Sequence, residues 1–314
     1  MADLRLRMVT RRSGVNAAVV DGDVTPGGAS LDLVDVPVLV QGFRRMVRSL
    51  EFDVSEMALT TYLVARAHGV QFTALPVFLV REFHHGAVRV REAGAGRDPR
   101  ELEGRRVGVN RGYTVTTGVW ARGVLAEEHG VDLDRVTWVL SGDEHVRAYQ
   151  PPANVVPAPE GSDLGRLLAD GDLEAMVGGD AGAGTAPLLV DPEAAGLASL
   201  RRTGVFPINH LVVVRNELLE EHADLAADLF GAFAEAKNRY VQRLRASELP
   251  EEGNADRTYR AVLDATGADP LPYGIEPNRA TLEKLLDLAL AQHVLDERPR
   301  LQSLFAAGAR DLTA

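Results

Sequence analysis

The sequence predicts an α/β protein, and three observations carry that reading. Short alternating or apolar runs that suit strands are followed repeatedly by turn residues and then by apolar residues at helical spacing. One run, 75–80, is almost wholly apolar and breaks abruptly into Arg81, Glu82, His84 and His85. A buried strand ends this way at the edge of a sheet where ligands collect. Beyond residue 216 the pattern becomes almost entirely helical.

In chain order, residues 4–9 alternate apolar and basic side chains, and 11–16 supply loop chemistry within reach of a ligand. Pro26, Gly27 and Gly28 make a turn, 31–36 alternate as a strand, and 38–50 carry a helical apolar stripe. A strand follows over 52–57, with Ser55 and Glu56 at its end, and Thr60 and Thr61 open a helix reaching His68. Helix starts present unpaired amides that suit a carboxylate, so Thr60 is either a ligand contact or a cap. If Glu56 is enclosed beside Met57 and Leu59, burial raises its pKa and lets it carry a proton at neutral pH.

After His85, residues 87–91 alternate as a strand, Asp98-Pro99-Arg100-Glu101 forms a capping box, and 105–109 make another strand. Arg111, Tyr113, Thr114, Thr116 and Thr117 then surround a second helix start, which either embraces a carboxylate or merely caps the helix that stops at Gly130. Residues 136–140 read as a strand, the prolines at 151, 152, 157 and 159 as irregular chain, 164–169 as a helix and 173–177 as a strand. The glycines of 178–184 lack the GxGxxG spacing and are followed by no lysine, which excludes both nucleotide fingerprints and leaves a ligand-facing loop carrying Asp180. His210 stands at the start of the buried run LVVV. Helices follow over 217–246, 255–266 and 278–292, interrupted by the turn PLPYG at 270–274, with a last turn near Phe305.

The 314 residues are 46% hydrophobic and 25% charged, enough for one large domain or two ordinary ones. A net charge of −11 without a long basic block disfavours nucleic acid and anionic membranes as partners, so any bound anion must meet local cations. There is no cysteine, which removes disulfides, thiolate metal sites and cysteine nucleophiles. Residues 1–12 alternate leucine with arginine and lack the apolar run of a signal peptide, so the expected location is cytoplasmic. HExxH and GxSxG are absent, and nothing asks for a nicotinamide, flavin or pyridoxal cofactor. A divalent metal held by His85, His210 and a carboxylate stays open as an alternative to cofactor-free chemistry.

Five stretches, EFDVSEMALTTYLVAR, ALPVFLVREFHH, GRRVGVNRGYTVTTGVWARGVL, TGVFPINHLVVVR and PYGIEPNRATLE, follow one another from the first fifth of the chain to the last. Through them the sequence resembles the 4,5-dihydroxyphthalate decarboxylase family, whose members look like type 2 periplasmic-binding proteins. The resemblance implies two α/β lobes with an interlobe cleft: lobe one from 1–86 and 205–314, with C-terminal helices, and lobe two from 87–204. The sequence departs from the family pattern at His84, at Asn110-Arg111 and at Leu271, where arginine, proline-glutamate and tryptophan are usual.

The implied activity is decarboxylation of a hydroxylated aromatic carboxylic acid, a dihydroxyphthalate-like acid, by protonation of the ring carbon and loss of CO2. On that expectation Arg81 and Arg111 anchor carboxylates, with Ser55, Thr60, Tyr113, Thr114, Thr116 and Asp180 as further substrate contacts. His85 is the first choice as proton donor and Glu56 the second, while His210 polarises a phenol or orients the ring. No cofactor is required, and a homo-oligomer is admitted. A non-catalytic cytoplasmic solute-binding protein for a small aromatic carboxylate would use the same arginines and helix ends.

Overall fold

The structure, a computed structural model, describes residues 4–249 and 251–314. The chain forms two compact units. The first begins with β1 (Leu4–Val9), α1 (Ala17–Val20), β2 (Ala29–Leu33), α2 (Leu39–Ser49), β3 (Val54–Ala58), α3 (Leu59–Ala67) and β4 (Phe72–Arg81). The second holds β5 (Val88–Arg91), β6 (Arg106–Val109), α4 (Thr116–His129), β7 (Thr137–Leu140), β8 (Val155–Pro157), α5 (Leu164–Asp170), β9 (Ala175–Val177), β10 (Thr185–Pro187) and α6 (Pro192–Thr203). The chain then returns to the first unit through β11 (Ile208–Arg215), α7 (Asn216–Glu221), α8 (Leu225–Arg245) and α9 (Asn254–Thr266), and α10 (Arg279–Ala291) begins in the first unit and ends in the second. The single helix expected over 217–246 is thus two, parted at His222, whose backbone is extended.

The first unit's sheet has the order β2-β1-β3-β11-β4. β1 is parallel to β2 and β3, and β11 runs antiparallel between β3 and β4. The neighbours of β11 pair both its edges, and the burial of all of Leu211–Val214 shows both its faces covered, which suits an uninterrupted apolar run. The helix α2 shows the other period: Leu39, Phe43, Met46 and Val47 are buried on one stripe.

Because β11 is antiparallel to both neighbours, its start shares an edge with the carboxyl ends of β1, β3 and β4. His210 lies opposite Ala58 and Ile208 opposite Arg81. Topology therefore gathers Thr10, Glu56, Arg81, Glu82 and His210 along one sheet edge, the kind where α/β proteins place ligands.

β4 is the last strand of this sheet, so Pro76 costs no ladder donor there. Later segments satisfy its outward carbonyls: Ala306 N donates to Ala74 O at 2.8 Å and Gly274 N to Pro76 O at 2.9 Å. The Tyr62 hydroxyl, which donates to Leu304 O, holds the same segment.

The second unit's sheet has the order β10-β5-β9-β6-β7-β8. Its β6, β7, β8 and β9 are parallel, and β5 and β10 join antiparallel. Val139, Leu164, Leu168, Leu173 and Met176 form a core against it. Gly108 leaves the room they need, since a Cβ there would lie 2.8 Å from Leu173.

The expected division is corrected in one respect. Residues 83–86, 205–207 and 284–298 belong to the second unit. Phe83 packs against Phe206 with tilted rings, centroids 4.8 Å apart, and Gln292 bonds both Arg122 Nε (2.8 Å) and Val119 O (2.9 Å) of α4. Among the described residues no helix is long and apolar enough to cross a membrane.

Candidate functional site

The carboxyl edge of the first unit's sheet is built around Glu56. This carboxylate, 2% exposed, points from the middle of β3 and is fixed by three donors. Its Oε2 accepts from Thr10 Oγ1 at 2.7 Å and Arg11 N at 3.0 Å, and its Oε1 accepts from His210 Nδ1 at 2.6 Å. Burial by itself pushes the Glu56 carboxyl up, but the hydrogen bond and charge of His210, with Thr10 and the Arg11 amide, hold it below the usual carboxylate range. This corrects the expectation of a protonated Glu56: enclosure is present, and the donors outweigh it.

An ionised carboxylate only accepts, so Nδ1 of His210 donates to Glu56 and Nε2 is the ring nitrogen left for another partner. His210 packs edge-on against Phe43, with centroids 5.2 Å apart, and its side chain is 25% exposed. The loop after β1 is locked around this pair by buried Asn16. Asn16 Nδ2 donates to Thr10 Oγ1 and Arg11 O, each at 3.0 Å, while its Oδ1 accepts from Ser13 N at 2.8 Å. Arg11 leaves this loop exposed and without an ion pair among the described residues. Beside His210, the exposed Glu82 is surrounded by enough protein that desolvation moves its carboxyl upward, with the charge of His210 opposing.

Arg81 has a different task from the expected one. It is 3% exposed, and its guanidinium donates to Asn278 Oδ1 and, at 3.1 Å, to Pro272 O, fastening the turn of 272–278 to β4. Burial pulls it down to about 10, against the electrostatic support of Tyr259 and Asp269. Ser55 is also internal, donating to Glu56 O at 2.6 Å, and Thr60 is fully buried in the first turn of α3.

In the second unit, the candidates separate along α4. Tyr113 N and Thr114 N (3.3 Å) and the Thr114 hydroxyl (2.5 Å) all donate to the carboxylate of Glu144. The carboxylate held at this helix start, expected to be a substrate's, is the chain's own Glu144. Gly112 permits the approach, for a Cβ there would lie 2.5 Å from Glu144 Oε2. Arg111, half-buried with φ 73°, donates its amide to Ser141 Oγ at 2.8 Å, and Thr116 is buried in the first turn. Asp180 is exposed and accepts from Gly182 N at 2.9 Å, shaping its own loop.

His85 lies at the other end of α4. It is 4% exposed, with Nε2 3.3 Å from both oxygens of Glu128, on the wall of a cavity of about 200 Å³ lined also by Phe83, Trp120 and Leu288. Glu128 also accepts from Ser199 Oγ at 2.7 Å and pairs with Arg202 at 3.2 Å. The hydrogen bond from His85, then that of Ser199 and the charges of His85 and Arg202, draw the Glu128 carboxyl down to about 2 against the effect of burial. Thr116 and Glu128 are about 18 Å apart along the helix at about 1.5 Å per residue. His85, expected as the proton donor, therefore lies remote from the Thr114–Glu144 contact at the start of the helix.

Among the described residues, no three His, Cys, Asp or Glu side chains gather as a metal centre requires. His85 and His210 each give one ring nitrogen to a glutamate.

No protein-family model matches the chain. It is 30% identical to a 4,5-dihydroxyphthalate decarboxylase of Comamonas testosteroni, in an alignment covering 97% of each chain. The chain belongs to the 4,5-dihydroxyphthalate decarboxylase family. A 4,5-dihydroxyphthalate decarboxylase of Pseudomonas putida is 34% identical over 172 residues, 51% of this chain and 64% of that one. Among solved structures, this family member is similar to the periplasmic aliphatic sulphonate binding protein SsuA from Escherichia coli, with a TM-score of 0.56, 12% identity and 98% of each chain covered. It is similar also to the desulfurization enzyme DSZB, with a TM-score of 0.54, 19% identity and 96% of each chain covered. These likenesses concern the fold, α/β and type 2 periplasmic-binding-protein-like, with a mixed sheet in each unit. Two of the positions that depart from the family pattern, His84 and Leu271, are buried, at 1% and 0% exposure.

Proposed function

We propose that this chain is a carboxy-lyase acting on a hydroxylated aromatic carboxylic acid of the dihydroxyphthalate type, with His210 as the proton donor and Glu56 as the residue that positions it. The observation that carries this reading is the His210–Glu56 pair at the carboxyl edge of the first sheet, in a chain 30% identical to a named decarboxylase.

In the scheme, a phenol on the substrate ring supplies electron density to the carbon bearing the carboxylate. His210, protonated on both nitrogens, gives its Nε2 proton to that carbon. The bond to the carboxylate then breaks, its electron pair restores the aromatic ring, and CO2 leaves with the proton in its place. Ionised Glu56 stabilises the imidazolium before transfer and fixes the ring orientation throughout. Arg11, exposed beside this edge and without an ion pair among the described residues, holds a carboxylate of the substrate, the role expected of Arg81. The scheme uses no cofactor and takes place in the cytoplasm.

The test is CO2 release and ligand binding measured together with 4,5-dihydroxyphthalate and its monohydroxylated analogues. His210→Asn is expected to lower kcat by about 10²–10⁴-fold with little change in affinity. Binding without release by the unaltered chain would favour a solute-binding protein, and full turnover by His210→Asn would remove the assigned donor.

A further inference from the structure

The first unit carries another cavity, of about 370 Å³, on the opposite edge of its sheet. Thr73 at the start of β4 and Asn216 just past the end of β11 line it, so it lies away from Glu56 and His210. Its size falls within the range of small-molecule sites. Two arginines line it, Arg66 from α3 and Arg310 from the last residues of the chain.

Arg66 donates NH1 to Phe72 O and Thr73 Oγ1, each at 3.3 Å, and Arg310 donates Nε to Phe305 O at 2.9 Å. Backbone and hydroxyl contacts thus orient both forks while leaving further N–H groups on each. Neither arginine makes an ion pair among the described residues, although the chain carries a net charge of −11. Glu220 lines the same cavity, also without an ion pair, and Leu219 and Phe305 give it an apolar wall. The frame is packed: Ala306 N bonds Ala74 O at 2.8 Å, and a Cβ on Gly308 would touch Ala223 O and Ala226 at 3.4 Å.

We propose that this cavity is a second binding site, separate from the His210 edge, for a small organic carboxylate that also bears a hydroxyl. Two cations suit the carboxylate, the apolar wall suits a carbon body, and Glu220 accepts from the hydroxyl. Inorganic phosphate fits poorly, because its second charge would meet Glu220 and the apolar wall would stay uncovered.

Calorimetric titration of the full chain with 4-hydroxybenzoate, benzoate and inorganic phosphate tests this. The expected result is a 4-hydroxybenzoate site weakened at least tenfold by Arg66→Gln with Arg310→Gln, and several-fold by Glu220→Gln. Benzoate binding should not weaken in Glu220→Gln, and phosphate should not saturate. If the glutamine pair fails to fold, amide shifts of Leu219 and Ala307 in the unaltered chain decide: movement on titration with 4-hydroxybenzoate supports the site, and none overturns it. Binding unchanged by the paired substitution, or phosphate binding the tightest of the three, also overturns it.

Discussion

Glu56 sits where two effects on one carboxyl oppose each other. Burial favours the protonated form, and its sequence neighbours Met57 and Leu59 advertise burial; the three donors that favour the ionised form come from residues 10, 11 and 210, which the local sequence does not reveal. With a folded pKa below its unfolded value, Glu56 contributes stability above the ordinary carboxylate range that is lost as pH falls through the depressed value. Glu56→Gln should therefore be less stable than the unaltered chain at neutral pH and converge with it in acid, as followed by urea denaturation across pH. The same variant should lose kcat and keep substrate affinity, because it misorients His210 without touching an anchor.

The loop between β1 and α1 shows how much of an element's work can rest on one side chain. Residues 10–16 are readable as loop, but their rigidity comes from the bonds of Asn16, which no periodicity signals. Asn16→Ala should destabilise the fold by about 1–3 kcal/mol, since it leaves buried partners unsatisfied, and should lower turnover through Thr10. Denaturant melts and steady-state rates check this. The start of α4 was legible as an anion seat from its glycine and threonines; that Glu144 fills it depends on a loop some thirty residues later. Arg81 was legible as a cation at a strand end, whereas its partner Asn278 lies 197 residues away.

At the scale of the whole chain, strand and helix periods gave the α/β class and the resemblance gave two units, but 284–298 read only as more amphipathic helix, and amphipathicity does not say which unit an apolar face will cover. Each unit contains a histidine held by a glutamate: His210 with Glu56 in the first, His85 with Glu128 in the second. Glu128 falls from an ordinary 4.5 to about 2, so its contribution is complete above about 4.5 and disappears as pH drops towards about 2. Glu128→Gln should flatten the acid limb of a pH-dependent melting curve between those values, with little effect on substrate affinity.

The ten-residue strand β4 ends its sheet, and the amide of Ala306 and that of Gly274 occupy its outward carbonyls. Such a long, apolar margin would otherwise be a template on which another chain could add a strand. Residues 274 and 306 thus cap this margin: a cleavage that released 272–314 would leave the His210–Glu56 pair covalently intact and is expected to bare a strand edge that promotes self-association.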